Sequence, residues 1–454
     1  MRFISILLFI AVLPFACNKS ELLETRSSNA AFVPTTADDF QGLLDDEALF
    51  GQNCFLTYLS TDEIYIPDAT VDALRMSYKN AYLWGKKVFD TVEAVPDWDQ
   101  PYAQILCANE VIAGVTKLLA KEKSARLNAL QGDAYFKRAF SFYNLAQVFA
   151  PPFNLNTAAT ELGIPLRLST DNKEKLYRST VQETYDQIIS DLRGAIPLLP
   201  AAVDSLHPNR ASQPAAWALL SRVYVSMGDY QQAASAATKC LNLYDNLIDF
   251  NQLNSGSTAP FTFRNKEALY QSKIMLGSTF ATLFLARGAV VEPELTRSYL
   301  PGDLRTAIFF SMRPAGASLK GSLFGEIFPF SGLGVAEVFL NLAECNVRLG
   351  HTEIALQYIN QLLKNRWANN QFTPYADTSA DKVLQFILQE RKKELVLKGM
   401  RWTDLRRLNR DGANVEMKRM YHSGVLVLPA NDPRYVFPIP DDVLQFNNYP
   451  QNNR

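Results

Sequence analysis

Residues 215–241 read AAWALLSRVYVSMGDYQQAASAATKCL, and residues 337–363 read EVFLNLAECNVRLGHTEIALQYINQLL. The two stretches align without a gap at an offset of 122: Gly228 falls on Gly350, Ala233 on Ala355, Leu220 on Leu342 and Cys240 on Leu362. On both sides of the glycine, apolar residues recur at spacings of three and four, the period of a helix with one buried face. Glycine takes the left-handed conformation that ends a helix at the least cost, so each stretch reads as helix, turn, helix. The small alanine after the turn lets the second helix lie close on the first.

This is the tetratricopeptide pattern, in which helix pairs stack because no pair can bury its apolar face alone. The two copies stand far apart, so a few helical hairpins separated by insertions are expected rather than a regular array. The rest of the chain agrees with a mostly α fold. A helix is expected to begin at or near Thr36, where cap residues and the acids Asp38 and Asp39 precede Phe40, Leu43 and Leu44. Residues 102–119 place Ile105, Ala108, Val111, Ile112 and Val115 on one face, residues 127–149 are rich in Ala, Tyr and Phe, and residues 181–196 carry another apolar stripe that ends at Pro197 and Pro200. Residues 251–334 differ. They mix Gly, Ser, Pro and Phe with short apolar runs and read as a loop-rich insert, the kind of segment that carries binding on a rigid scaffold.

The amino terminus carries an address. After Met1-Arg2, residues 3–13 are apolar apart from Ser5, and Leu13-Pro14-Phe15-Ala16 leads into Cys17. A membrane span needs roughly 20 apolar residues, and this run is much shorter. It reads as a signal peptide, residues 1–16, cleaved before a Cys17 that takes lipid, with Pro14 standing where such sites usually have leucine. Residues 17–31 are polar and form a tether, leaving residues 32–454 as one helical domain.

Composition excludes several functions. With 45 basic and 46 acidic residues the net charge is −1, so a nucleic-acid partner is not expected. The three histidines, His207, His351 and His422, have no metal-ligand spacing, and Cys54, Cys107, Cys240 and Cys345 form no CxxC pair. Neither a metal nor another cofactor is expected. No GxSxG elbow, P-loop or GxGxxG motif occurs, and no pattern singles out a pair of catalytic carboxylates, so the chain reads as a non-enzyme.

Residues 390–407, ERKKELVLKGMRWTDLRR, set Glu390 and Glu394 among basic residues at helical spacing, with Gly399 at a helix end. Arg401, Trp402 and Asp404 suggest a cluster that locks this end to the body. The basic run Arg401, Arg406, Arg407 and Arg410 lies among Asp404 and Asp411, which points to an internal network rather than an anion site. This block resembles the C-terminal motif of the SusD/RagB family of outer-membrane nutrient-binding lipoproteins, with Lys398 where the family usually has glutamate. The resemblance continues in family order through FVPTTADDFQGLL at residues 32–44, Leu59-Ser60-Thr61-Asp62-Glu63, Trp98 to Asn109, Gly132 to Ala139, Gly163-Ile164-Pro165-Leu166, and Val436-Phe437-Pro438-Ile439-Pro440.

What the resemblance implies is specific. Such proteins are lipid-anchored at the outer membrane, face the cell exterior and sit on a TonB-dependent (SusC-like) barrel transporter. They capture oligosaccharides, or in some branches peptides, and pass them to the barrel. The implied fold is SusD-like, with tetratricopeptide-like hairpins and irregular insertions. Asp62, Tyr65, Arg75 and Tyr78 lie in a segment that supplies ligand contacts in relatives. Trp84 is close by, and Phe261, Arg264 and Tyr299 lie in the insert. Aromatic faces stack on sugar C–H groups while polar tips meet hydroxyls, which is why these types are candidates. Packing is the competing reading for each of them, and a protein–protein adaptor without nutrient ligand is the competing function.

Overall fold

The computed structural model describes residues 33–90, 93–171, 173–275, 277–326 and 328–454. The signal peptide, Cys17 and the tether expected for residues 1–31 lie outside these described residues.

Helix α1 (Ala37–Leu44) begins as its sequence dictates: the Thr36 hydroxyl accepts the Asp39 N–H while the Asp39 carboxylate takes the Thr36 N–H. After the short α2 (Met76–Tyr82), the long α3 (Pro96–Leu119) starts a turn and a half before residue 102, where periodicity placed it. Pro96 occupies the first helical position, where a missing N–H costs nothing, and Trp98 packs edge-on against Phe149 at 5.0 Å, so the extra turn is held by burial. Helix α4 (Ala125–Phe149) and helix α5 (Val181–Ala195) follow, the latter opened by a second capping box between Thr180 and Glu183.

The two matching stretches are α6 (Gln213–Met227) with α7 (Tyr230–Leu243), and, beyond α8 (Gly277–Ala286), α9 (Val335–Arg348) with α10 (Thr352–Lys364). Gly228 and Gly350 both have φ of +83°. The turns close alike, with Gly228 N–H to Val225 O and Asp229 N–H to Tyr224 O in one, and Gly350 N–H to Val347 O and His351 N–H to Asn346 O in the other. Ala233 and Ala355 are fully buried against the partner helix. Helices α11 (Ala380–Glu394) and α12 (Arg401–Arg410) complete the framework. Helices α3 to α7 pack each on the next, α7 packs on α9, and α9 meets both α10 and α11, giving one continuous file of helices.

Strands are short and paired in twos: β1 (Ile64–Tyr65) with β4 (Val290–Val291), β2 (Leu162–Pro165) with β3 (Arg178–Thr180), β5 (Phe310–Arg313) with β6 (Gly316–Leu319), and β7 (Met417–Tyr421) with β8 (Gly424–Leu428). The β1–β4 pair is antiparallel and fixes the 251–334 insert to the segment that follows residue 59. The insert holds short strands and helices, α8 among them, between loops.

Candidate functional site

The basic and acidic residues of 390–407 form a buried charge network that sets the position of everything around them. The Arg407 guanidinium donates to both oxygens of Glu344 at 2.6 and 2.8 Å and to Asp404 at 2.9 Å. Arg391 donates to Asp404 at 2.8 Å and to Asn341 at 2.7 Å. Arg305 from the insert reaches Asp303 and Glu390, each at 2.6 Å, and Arg366 bridges Glu267 at 2.6 Å and Glu394 at 3.1 Å. Lys398, the departure from the family pattern, lies largely sheltered 3.7 Å from Glu394 and over the Phe309 ring. Burial opposes ionisation of Glu394 and Glu344, but facing arginines outweigh it and hold both carboxyls down at about 2. These pairs knit α9, α11 and α12 to the insert, the internal network expected from sequence.

Asp62 belongs to this frame. It accepts from Arg401 at 2.6 and 2.8 Å and from Lys392 at 2.9 Å, and against the opposing effect of burial those cations keep its carboxyl well below the usual range. Beside it, burial and then the Asp62 charge push the Glu63 carboxyl up to about 8. Tyr299, expected as a ligand contact, is buried and donates its hydroxyl to the Lys393 carbonyl at 2.8 Å. Trp84 is 1% exposed at φ +54°, its indole N–H donates to the Ser60 carbonyl at 2.9 Å, and Arg419 lies 4.4 Å above the ring. Phe261 is buried among Phe250 and Phe309. These aromatic residues present no open face to a ligand.

Three candidates, Tyr65, Arg75 and Arg264, remain at the surface, and Tyr78, 9% exposed, shows only an edge beside Arg75. Arg75 caps α2, pairs with Glu93, and stands 5.5 Å from the centre of the Tyr78 ring. Tyr78 packs its other side edge-on against Phe55 at 4.9 Å. Both line a groove of about 310 Å³ whose opposite wall is α8 and the residues after it, with Leu283 and Arg287. Tyr65, on β1, is 36% exposed, and Arg264 is exposed on the insert. Sequence reading brought Arg75 and Tyr78 forward but missed Arg287. Its only local signal was its position in the insert, where the hydroxyl of Thr70 holds the Arg287 carbonyl at 2.7 Å.

No helix among the described residues is long and apolar enough to cross a membrane, and none of their His, Cys, Asp and Glu side chains cluster as metal ligands. Fold and grooves define a tetratricopeptide-type helical scaffold carrying a loop-built face, and a tetratricopeptide profile matches residues 214–247. A SusD-like profile described as "Starch-binding associating with outer membrane" matches residues 23–225, and that of the SusD family matches residues 334–453. The chain belongs to the SusD/RagB family. It is 24% identical over 379 residues to SusD-like protein P2 of Formosa agariphila, covering 68% of this chain and 71% of that protein. A SusD superfamily protein from Bacteroides thetaiotaomicron superposes with a TM-score of 0.74 at 24% identity, covering 92% of this chain and 100% of that one. A SusD-like carbohydrate binding protein from Bacteroides vulgatus superposes at 0.69 with 16% identity, covering 91% and 97%.

Proposed function

We propose that the protein is a lipid-anchored outer-membrane binding protein that captures oligosaccharides at the cell exterior and delivers them to a TonB-dependent (SusC-like) transporter. The observation that carries the reading is the meeting of Arg75 and Tyr78 in one groove closed by α8 from the insert. The edge of Tyr78 that reaches the groove offers an apolar contact for C–H surfaces, and the exposed Arg75 guanidinium beside it offers donors for hydroxyls. The family profile described as starch-binding and the relative from B. vulgatus named as carbohydrate binding support saccharide over peptide. Binding rather than turnover is the activity. In this account residues 1–16 are removed, Cys17 carries the acyl chains, residues 17–31 tether, and residues 32–454 form the binding body beside its transporter, where tethering raises the effective concentration.

Isotherms against a panel of neutral oligosaccharides and peptides, with affinity purification from outer membranes, test this reading. Saccharide binding and recovery of a barrel transporter are expected. Peptide binding without saccharide binding, or an intact sugar-binding protein that recovers no transporter, contradicts it.

A further inference from the structure

A second cleft, of about 580 Å³, lies far in sequence from the Arg75–Tyr78 groove, between the segment after α4, the end of α12 and residues 431–453. Three arginines line it, and two of them, Arg178 and Arg406, have no carboxylate partner among the described residues. Arg178 donates to the carbonyls of Gly163, Pro450 and Leu162, each at 2.9 Å, and to the Asn452 amide oxygen at 2.8 Å. Arg406 donates to the carbonyls of Gln147 and Ala150, is 3% exposed, and its Nε has no partner among the described residues. Elsewhere the buried guanidiniums of Arg222, Arg305, Arg366 and Arg407 each face a carboxylate, while Arg419, which also bonds only carbonyls, is covered by the Tyr82 and Trp84 rings and lines neither this cleft nor the Arg75–Tyr78 groove.

The acids near the cleft do not supply the missing charge. Glu161 accepts the Thr157 hydroxyl at 2.6 Å, Asp432 is bound by Arg434 at 2.8 and 2.9 Å, and Arg410, also on the wall, pairs with Asp411 at 2.7 Å. Burial pulls both Arg178 and Arg406 down to about 10, with no acid to raise them. A desolvated cation without counter-charge is costly, and an incoming anion recovers that cost. The remaining wall mixes prolines, Leu162, Tyr435 and Val436 with asparagine, glutamine and threonine side chains, suited to C–H faces and hydroxyls.

We propose that this cleft binds an acidic saccharide through the carboxylate of a uronic-acid unit, with Arg178 and Arg406 supplying the positive field. The inference rests on the saccharide-binding reading and adds to it a substrate class and a second site. Glu161 and Asp432 at the wall disfavour a dense polyanion.

The test is calorimetric titration of the full mature chain with trigalacturonate, maltotriose and an acidic tripeptide. Wild type is compared with Asn453→Asp and with the double variant Arg75→Ala/Tyr78→Ala. Asn453 is an exposed wall residue without a hydrogen bond among the described residues, so the fold tolerates the change. Trigalacturonate is expected to bind. A carboxylate added at the exposed Asn453 is expected to weaken it at least about fivefold, the size of a like-charge contact screened as in bulk water. Maltotriose binding should not change in that variant, and trigalacturonate binding should survive loss of Arg75 and Tyr78. An unchanged trigalacturonate affinity in Asn453→Asp overturns the inference. So does its loss in the double variant, which would place the acidic sugar in the first groove and leave the saccharide reading intact. Binding of the tripeptide alone overturns both.

Discussion

Replacing Glu344 with glutamine removes one charge from the centre of the network and leaves its volume. The side chain is fully buried and accepts from Arg407 at 2.6 and 2.8 Å and from Arg348 at 2.9 Å. Glutamine offers one acceptor oxygen and no charge, so Arg407 keeps only Asp404 as a counter-ion. Breaking a buried pair from one side costs about 3–5 kcal/mol, because the surviving charge stays desolvated. Linkage gives an independent figure. The Glu344 carboxyl falls from 4.5 to about 2 on folding, and a depressed carboxyl stabilises the fold fully above its unfolded value. That stabilisation, of order 3 kcal/mol, is lost as pH falls from 4.5 toward 2, with about 2 kcal/mol gone by pH 3. Urea denaturation followed by tryptophan fluorescence at pH 7 and pH 3 measures both. Glu344→Gln is expected to unfold at much lower urea at pH 7, and its deficit should shrink by about 2 kcal/mol at pH 3. A variant within about 1 kcal/mol of wild type at pH 7, the range of an exposed pair, refutes the reasoning, as does a deficit independent of pH.

Gly399→Ala is expected to cost about 2–4 kcal/mol, since φ is +77° and an added Cβ would stand 2.7 Å from the Tyr58 hydroxyl; a denaturation midpoint equal to wild type contradicts the close approach. Ala233→Leu should lower the unfolding free energy by about 1–3 kcal/mol, because the residue is fully buried where α7 meets α6. Retained stability there would argue against the hairpin packing. Cys17→Ala should move the protein from the membrane to the soluble fraction, whereas retention through a high-salt wash contradicts lipidation.

The helical frame was legible because its rules are local. Gly228 and Gly350 mark the turns by the conformation only glycine adopts easily, Ala233 and Ala355 mark the close contacts, and Thr36 marks a cap. The network in residues 390–407 was legible as a cluster of opposite charges at helical spacing. The start of α3 was not, because Pro96 and Pro101 interrupt the apolar period while burial of Trp98 carries the helix through them. The site was only half legible. Trp84 and Tyr299 have the same chemistry as a sugar platform, and what buries them is a carbonyl far along the chain, Ser60 for one and Lys393 for the other. Arg178 gave no local signal, and Arg406, expected from its basic run to join the internal ion-pair network, instead bonds only the Gln147 and Ala150 carbonyls. Their shared lack of an acid partner is visible only once segments more than 200 residues apart are folded together.

The most direct test of the central claim is calorimetric titration of neutral oligosaccharides into wild type and the Arg75→Ala/Tyr78→Ala variant. The account predicts that wild type binds at least one saccharide and that the double variant, still folded at the assay temperature although loss of the buried Tyr78 lowers its unfolding midpoint, binds it at least tenfold more weakly, about 1.4 kcal/mol or more. Undiminished saccharide affinity in a folded double variant would contradict the assignment of the groove between α2 and α8.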